Sequence, residues 1–535
     1  MPSFRQQPLI YRLVNRAQPQ ALNGYSEAYA QVIREMRGYS ATSIAEAALR
    51  ILWAEHPSRI EALQMAPWHI LLLVKWALRD PHVALRTGAV ISVEAFDGLR
   101  QRVLDLVGLE HKQNPPENIF LMMRAHLQQI DFQRTEGWGF LRWPALIARQ
   151  PTSQPSHRQF LQEMGLSPAH FMDLSYGLFA AVITREAPLA SGWLDPVRPA
   201  YGSSIDAMWN LLSRDLVSLR DELRKDDARR LPAKQELYEF PYLKRFPFLR
   251  MRDGRHHCWH PMVFARGLED IVHLKLSSLH TEYTEPFSRL FEQYVIELTQ
   301  AMDPATVDEN MYRQVAGGGV PTVEAAIACG DCNVFVEAKM SLFADDVLLT
   351  DNPTQAHQKT KRLRDGIKQA WNVGRALRAA PPPFPAMASA AQDFLLLVTS
   401  RELFVGGGGM LQRLYEAGRF NYPDDAAMRN MPLHNVFVLS IENFERLSCA
   451  VAAGEVVLPA LLKEAAAKNQ DPATSAILFD GFLAGYVSRW GTPALIASAR
   501  RASESRIAMA FGAPPDAFEA GADVGEQRQD GWMQC

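Results

Sequence analysis

Pro321-Thr-Val-Glu324 and Val336-Glu-Ala-Lys339 are the stretches of this 535-residue chain that decide its predicted fold. They belong to two short apolar runs, 321–328 (PTVEAAIA) and 333–339 (NVFVEAK), whose β-branched and aromatic residues are typical of strands. Cys329-Gly-Asp-Cys332 lies between the runs, and its Gly-Asp pair suits a tight turn. The pattern therefore predicts an antiparallel β-hairpin.

The predicted hairpin brings charged side chains together at one end. Side chains alternate between the two faces of a strand, so Glu337 and Lys339, two residues apart, share one face. Antiparallel pairing about the turn places Glu324, in the first strand, beside the end of the second strand. We therefore expect Glu324, Glu337 and Lys339 to converge.

This set of groups suits a hard divalent cation. The carboxylates of Glu324 and Glu337 and the backbone carbonyl of Ala338 offer oxygen ligands to Mg²⁺, and they leave positions open for water and a phosphate oxygen. Mn²⁺ accepts the same ligands and would substitute for Mg²⁺. The cation would polarise a phosphate and lower the pKa of its water, while Lys339 orients that water. The pattern thus favours phosphodiester hydrolysis.

The motif P-x-x-E followed by E-A-K across a hairpin resembles the PD-(D/E)XK, or restriction-endonuclease-like, nuclease superfamily. The resemblance implies that Glu324 and Glu337 bind the metal and that Lys339 serves the water. The sequence departs from the family pattern because Glu replaces the usual first Asp and two residues separate Pro321 from this acid. Asp331 is therefore a rival first ligand. We favour Glu324, since Asp331 lies in the predicted turn at the far end of the hairpin.

Two flanking segments strengthen the resemblance. Apolar spacing in 285–302 (EPFSRLFEQYVIELTQAM) predicts an amphipathic helix that carries Glu292. Superfamily members often have a glutamate in a similar F-E-x-Y-V context, which implies a catalytic contact with metal or water for Glu292; an ordinary solvated glutamate is the alternative. Residues 354–378 predict a second helix, beginning at Thr354 after Asn352-Pro353. The family often has a phosphate-binding lysine or glutamine there, and the candidates are Lys361, Arg364, Lys368 and Gln369. A solvated basic face is the alternative for this helix.

Overall charge gives no general attraction to nucleic acid, because the net charge is −3. A binding groove would have to be a local basic patch, and a second candidate for one is the arginine- and lysine-rich segment 212–257. Cys329 and Cys332, together with the His256–His260 run, form a weaker alternative, a zinc site. The irregular spacing of that run argues against zinc.

The length of 535 residues predicts several domains, because it exceeds that of one ordinary domain. The hydrophobic content of 47% is enough to form substantial cores. The predicted fold class is an α/β nuclease core, a mixed central sheet flanked by helices, with a large α-helical N-terminal region. The expected divisions are a helical region for sensing or gripping the substrate (1–235), a hairpin-containing bridge (236–283), the nuclease core with C-terminal helices (284–512) and a polar tail (513–535).

The expected function is Mg²⁺-dependent hydrolysis of nucleic acid, with DNA favoured. Resemblance to large helical modules joined to one nuclease core suggests bacterial anti-phage defence, with a phage-derived trigger left open. An RNase that cleaves tRNA, and a non-catalytic binding module for nucleic acid or protein, are the alternatives. Cutting both strands would need a homodimer or two binding events. Five sparse cysteines and the lack of a signal-peptide core or an 18-residue apolar run lead us to expect a cytoplasmic protein with no membrane partner.

Overall fold

The structure is a computed structural model that describes residues 24–54, 67–113, 126–127, 129, 138–184, 187–226, 233–279, 281–317, 319–340, 348, 353–379, 382–414, 429–471, 474–486 and 491–512. The expected polar tail at 513–535 lies outside the described residues.

The N-terminal part of the described chain is largely helical, as its apolar spacing predicts. The pattern at 157–181 is observed as two helices, because Gly165 adopts a left-handed conformation (φ 75°) that ends the first of them. The helices are α1 (Tyr25–Met36), α2 (Ala41–Leu52), α3 (Pro67–Arg79), α4 (Val93–Gln113), α5 (Arg142–Ala148), α6 (Pro155–Met164), α7 (Pro168–Ile183), α8 (Arg198–Tyr201), α9 (Ser204–Leu212), α10 (Leu216–Lys225) and α11 (Ala233–Glu236). Short 3₁₀ turns lie at Gly139–Leu141, Asp195–Val197 and Tyr242–Arg245.

A small three-stranded sheet follows, with strands β1 (Ser213–Arg214), β2 (Phe248–Arg250) and β3 (His256–Cys258) in that order. Strands β2 and β3 are antiparallel, and Gly254 in the connecting turn has φ 79°, a value that favours glycine. The expected Asp-Gly hairpin is therefore confirmed. Strand β1 pairs with β2 in parallel and separates α9 from α10.

The central sheet has five strands, β4 (Val307–Asp308), β5 (Ala325–Ala328), β6 (Cys332–Lys339), β7 (Gln392–Thr399) and β8 (Val436–Ser440), in the order β4-β5-β6-β7-β8. The pairs β4-β5 and β5-β6 are antiparallel, whereas β6-β7 and β7-β8 are parallel. The sheet is thus mixed, as expected. Strand β4 was not predicted, because two residues are too few to show an alternating pattern.

Helices cover both faces of the central sheet. Val334 and Val336 of β6 pack into a core with α13 (Thr281–Met302), whereas Phe335 faces a second core with α16 (Lys361–Leu377). The mixed α/β architecture with helices on both sides is therefore confirmed. The other helices of this half are α12 (Pro261–Leu276), α14 (Glu309–Ala316), α15 (Pro353–Lys359), α17 (Pro385–Ala388), α18 (Gly408–Leu414), α19 (Ile441–Ala452), α20 (Leu458–Gln470), α21 (Asp480–Leu483) and α22 (Ala494–Ala510), with 3₁₀ turns at Ser277–Leu279 and Leu433–Asn435.

Two predicted elements differ in their bounds. The first hairpin strand begins at Ala325 rather than at Pro321, and residues 321–324 lie outside the ladder. The predicted helix at 354–378 is two helices, α15 and α16, separated at Thr360. The Thr360 hydroxyl donates to the carbonyl of Ala356 at 2.7 Å, a local bond of the kind that bends helices.

The buried apolar residues form three groups. One joins α1–α4 to α10 and residues 237–263. The second group contains residues of helices α5–α9, α12 and α13, of one face of the central sheet and of the C-terminal helices. The third group lies between the other face of the sheet and α16. Part of the N-terminal helical region thus shares a core with the sheet. Among the described residues, no helix is long and apolar enough to cross a bilayer.

Candidate active site

The β5-β6 hairpin brings Glu324 and Glu337 together. Ala325 pairs with Val336, so the antiparallel register places Glu324 across from Glu337 at the open end of the hairpin. The ladder ends there, and the Ala338 amide donates instead to Glu324 Oε2 at 2.9 Å. The N–H and C=O of one residue point to the same side of a strand, so the Ala338 carbonyl also faces the side on which Glu324 lies.

Glu337 is a buried acid with one unsatisfied oxygen. Glu337 is 0% exposed. Its Oε1 accepts a hydrogen bond from Lys339 Nζ, and its Oε2 has no hydrogen-bond partner. Burial raises the pKa of Glu337 well above its usual value, and the nearby Glu324 carboxylate raises that pKa further, against the opposing effect of Lys339. A buried carboxylate oxygen without a partner is rare and costly in proteins.

Lys339 is the cation of the cluster. Its side chain is 21% exposed and forms an ion pair with Glu337. Burial acts to lower the pKa of Lys339, but the charges of Glu337, Glu324 and Glu292 raise it above its usual value. The lysine is therefore held in its charged form among three acids.

Glu292 reaches the cluster from α13, on the other face of the sheet. Its pKa is raised by burial and by the charge of Glu324, and it is lowered by the hydrogen bond from Ser288 and by the charge of Lys339. Ser288 Oγ donates to Glu292 Oε1 at 2.9 Å. The structure thus brings Glu292, Glu324, Glu337 and Lys339 into one electrostatic cluster, drawn from three separate segments of the chain.

Helix α16 lies directly over Glu337 and Lys339, and Gly366 makes the close approach. A β-carbon at Gly366 would lie 3.3 Å from Lys339 Cε and 3.4 Å from Glu337 Cγ. Arg362 and Gln369 lie four residues before and three residues after Gly366, on the same side of the helix. Arg362 Nη1 donates to the carbonyl of Met340, at the end of β6, at 3.3 Å.

The three basic candidates on α16 lie on a different side of the helix. At 3.6 residues per turn, Lys361, Arg364 and Lys368 project roughly 140–160° away from Gly366. Lys361 Nζ donates to Asp365 at 2.6 Å, Arg364 Nη2 donates to the carbonyl of His357 at 2.8 Å, and Lys368 is exposed. The structure therefore does not bring these three residues to the acids, whereas it does bring Gln369 near them.

Residues 321–324 are tied to two helices. Thr322 Oγ1 donates to Glu309 Oε1 of α14 at 2.8 Å, and Gln369 Nε2 of α16 donates to the Thr322 carbonyl at 2.6 Å. Arg313 Nη2 donates to Thr322 Oγ1 at 3.2 Å and to Glu309 Oε1 at 2.6 Å. Sequence reasoning missed Glu309, Arg313 and Thr322. The spacing of Glu309 and Arg313 is that of a helical ion pair, but their contact with Thr322 depends on the tertiary structure.

The alternative ligands lie elsewhere. Asp331 occupies the turn, at the opposite end of the hairpin from Glu337, and accepts a hydrogen bond from Lys463 at 2.6 Å. Cys329 and Cys332 flank the same turn, while Cys258 lies in the other sheet. Within the described ranges, no three His, Cys, Asp or Glu side chains are grouped so as to hold a metal ion.

The cations that the structure describes in the basic segment 212–257 are largely engaged within the protein. Arg220 is 8% exposed and donates to the carbonyls of Leu78 and Val83. Other cations of the segment form ion pairs, namely Arg224 with Asp221, Lys225 with Glu222, Lys244 with Asp270, Arg245 with Asp226, Arg250 with Asp215, and Arg255 with Asp253. These pairings weaken the expectation of a nucleic-acid groove there.

The residues of the cluster fit a divalent cation in number and kind. The Glu337 oxygen without a partner lies beside the Glu324 carboxylate, and the Ala338 carbonyl faces the same side. Two carboxylates and one carbonyl match the hard-oxygen preference of Mg²⁺, which usually keeps several waters.

The comparisons with known proteins place this chain in no family. It matches no protein-family model, and neither the curated proteins nor the solved structures give a significant match.

Proposed function

We propose that this protein is a metal-dependent nuclease that hydrolyses phosphodiester bonds at the Glu324, Glu337 and Lys339 cluster. The observation that carries the proposal is the unsatisfied Glu337 oxygen, buried beside a second carboxylate and a lysine. Folding an acid into this position is costly, and strongly perturbed acids of this kind are typical of functional sites. The motif that resembles the PD-(D/E)XK superfamily supports the same reading.

Each residue has a distinct role in the proposed chemistry. Glu324, Glu337 and the Ala338 carbonyl would hold Mg²⁺ or Mn²⁺, which supplies Lewis-acid polarisation of the phosphate and a more acidic water. Lys339, held charged by the three acids, orients the attacking water and offsets negative charge as it develops on the phosphate. Glu292 would add a third carboxylate whose charge acts on Glu324 and Lys339.

DNA is the proposed substrate, and anti-phage defence in the bacterial cytoplasm is the proposed setting. The support for both is the resemblance of the motif, together with the large helical part of the chain. A phage-derived trigger and a homodimer belong to the same proposal, because a single cluster cuts one strand at a time. Arg362, beside the end of β6, is a closer candidate for a phosphate contact than Lys361, Arg364 or Lys368.

The test is cleavage by the purified full-length protein. Supercoiled plasmid, linear duplex, single-stranded DNA and tRNA are each incubated with Mg²⁺ and, separately, with EDTA. We expect cleavage of DNA with Mg²⁺, none with EDTA and none by Glu324→Gln. Glu297→Gln is the matched control, because Glu297 is an exposed acid on α13 that pairs with Arg149.

The other outcomes separate the alternatives. Cleavage of tRNA alone would identify an RNase. Binding of nucleic acid that is equal in wild type and in Glu324→Gln, with no cleavage of any substrate, would identify a binding module and contradict the proposal.

A further inference from the structure

Glu324 lies at the end of a segment, residues 321–324, that is not part of a strand. Strand β5 begins only at Ala325. Pro321, at the start of the segment, has no amide hydrogen to donate. The segment must nevertheless keep Glu324 close to Glu337, and the two acids repel each other when both are charged. The Ala338 amide of β6 holds the Glu324 carboxylate, and the residues before Glu324 are held from outside the sheet.

Two helices supply that restraint, and they converge on Thr322. The Thr322 hydroxyl donates to Glu309 of α14, and the Thr322 carbonyl accepts from Gln369 of α16. The side chain and the main chain of one residue are thus bonded to two different helices. Thr322 is 5% exposed, so water competes little for either bond.

A third bond extends the restraint to Glu324 itself. The Glu309 amide donates to the Glu324 carbonyl at 3.1 Å. The Glu309 carboxylate also accepts hydrogen bonds from Arg313 and Thr322. Glu309 therefore contacts the segment through its backbone and through its side chain, at residues two positions apart.

We propose that Thr322, Glu309 and Gln369 are positioning residues that hold Glu324 in place for the divalent cation. They act through Glu324 and do not touch the substrate. This inference rests on the proposed metal site, and it assigns Gln369 to the support of a metal ligand, where the sequence had suggested a phosphate contact. Residues that support metal ligands in this way typically change affinity for the metal by about 10–100-fold when they are replaced.

The experiment measures metal affinity directly by calorimetric titration of Mn²⁺ into the full-length protein without nucleic acid. The variants are Thr322→Val, which removes the hydroxyl at nearly constant volume, and Gln369→Leu, which removes the amide donor. Each should bind Mn²⁺ about 10-fold more weakly or worse, and Thr322→Ser should restore the wild-type dissociation constant. Asn372→Ala is the matched control, because Asn372 is an exposed amide on the same helix, one turn beyond Gln369.

A second readout separates positioning from general damage. The Mg²⁺ concentration for half-maximal cleavage should rise in Thr322→Val and Gln369→Leu, while kcat at saturating Mg²⁺ stays near the wild-type value. Thermal melting of each metal-free variant tests folding. Unchanged Mn²⁺ affinity in both variants overturns the positioning role, and so does a wild-type protein that binds no divalent cation.

Failure of the proposed function gives a different result. A wild-type protein that binds Mn²⁺ but cleaves none of the nucleic acids contradicts the nuclease proposal. The Mn²⁺ affinities of the variants then decide the positioning role by themselves.

Discussion

Glu337 combines burial with incomplete pairing. One of its oxygens bonds to Lys339, the other has no partner, and its pKa is raised chiefly by burial. Burial opposes ionisation of Glu337, so a neutral isostere at this position avoids the cost of a buried charge, and residues of this kind often oppose stability while they serve function. Lys339 is less buried than Glu337, since its side chain is 21% exposed, and it also lies near the charges of Glu324 and Glu292.

We predict that Glu337→Gln and Lys339→Ala each lower cleavage by about two to three powers of ten, since losing about 3–4 kcal/mol of transition-state stabilisation has that effect. The melting temperature of Glu337→Gln should equal or exceed that of the wild type, because the amide avoids the cost of ionising a group whose charged form burial disfavours. Cleavage assays and circular dichroism melts on the same preparations measure both. Wild-type cleavage by either variant would refute the assigned roles.

Helix α16 approaches the sheet closely because Gly366 has no side chain. An added β-carbon would lie 3.0 Å from Leu397 Cδ1, and it would also crowd Lys339 and Glu337. Contacts this close require the neighbouring side chains to shift by a few tenths of an ångström. The helix and the two functional side chains therefore form one packing unit.

Gly366→Ala should reduce cleavage more than it reduces stability. Alanine stabilises a helix by about 1 kcal/mol relative to glycine, which offsets part of the cost of crowding. The side chains that must move to make room, however, include Lys339 and Glu337. We expect at least a roughly 10-fold loss of kcat, because small misplacements of reacting groups cost rate steeply. Gly108→Ala in α4, where an added β-carbon meets nothing within 4 Å, is the control. Equal cleavage by the two alanine variants would contradict the prediction.

The basic side of α16 faces away from the proposed metal site. Lys361, Arg364 and Lys368 lie away from the acids, so replacing all three by alanine should leave kcat at saturating DNA nearly unchanged. If DNA contacts this side of the helix, the log–log salt dependence of binding becomes shallower by about 0.9 for each lost contact. Fluorescence anisotropy of labelled duplex across a salt series measures the slope. An unchanged slope and affinity would show that this side of the helix is only a solvated face.

At the scale of the whole molecule, a buried ion pair joins the N-terminal helices to the C-terminal helices that pack with the sheet. Arg142 of α5 makes two hydrogen bonds to Glu445 of α19, at 2.7 and 2.6 Å, and Tyr294 of α13 donates to Glu445 at 2.6 Å. Both side chains of the pair are at most 3% exposed. The Glu445 carboxylate therefore links three helices that are far apart in the sequence.

Glu445→Ala should destabilise the protein by about 3–5 kcal/mol, because it removes the carboxylate that accepts two hydrogen bonds from the buried Arg142 guanidinium. Glu297→Ala is the matched control, since its pair with Arg149 is more than 40% exposed on both sides and should contribute less than about 1 kcal/mol. Shifts of the urea and thermal transitions measure the difference. Similar small shifts in the two variants would show that the buried pair does not hold these helices together.

The sequence by itself determined the local elements and the pairing of the hairpin. Alternation along 333–339 and the Gly-Asp turn predict antiparallel strands, and that register alone places Glu324 across from Glu337. Apolar spacing likewise predicts the helix that carries Glu292 and most of α16. These features follow from interactions between residues near one another in the chain, which a sequence pattern records.

Only the tertiary structure decided what surrounds the acids. The side of α16 that meets the sheet depends on how the helix packs. The sequence therefore suggested Lys361, Arg364 and Lys368 as the residues near the acids, whereas in the structure Gly366 and Arg362 lie there. The unsatisfied oxygen of Glu337 and the bonds of Thr322 to α14 and α16 likewise arise between distant segments. Burial and long-range hydrogen bonds depend on the packed fold, and no periodicity in the sequence encodes them.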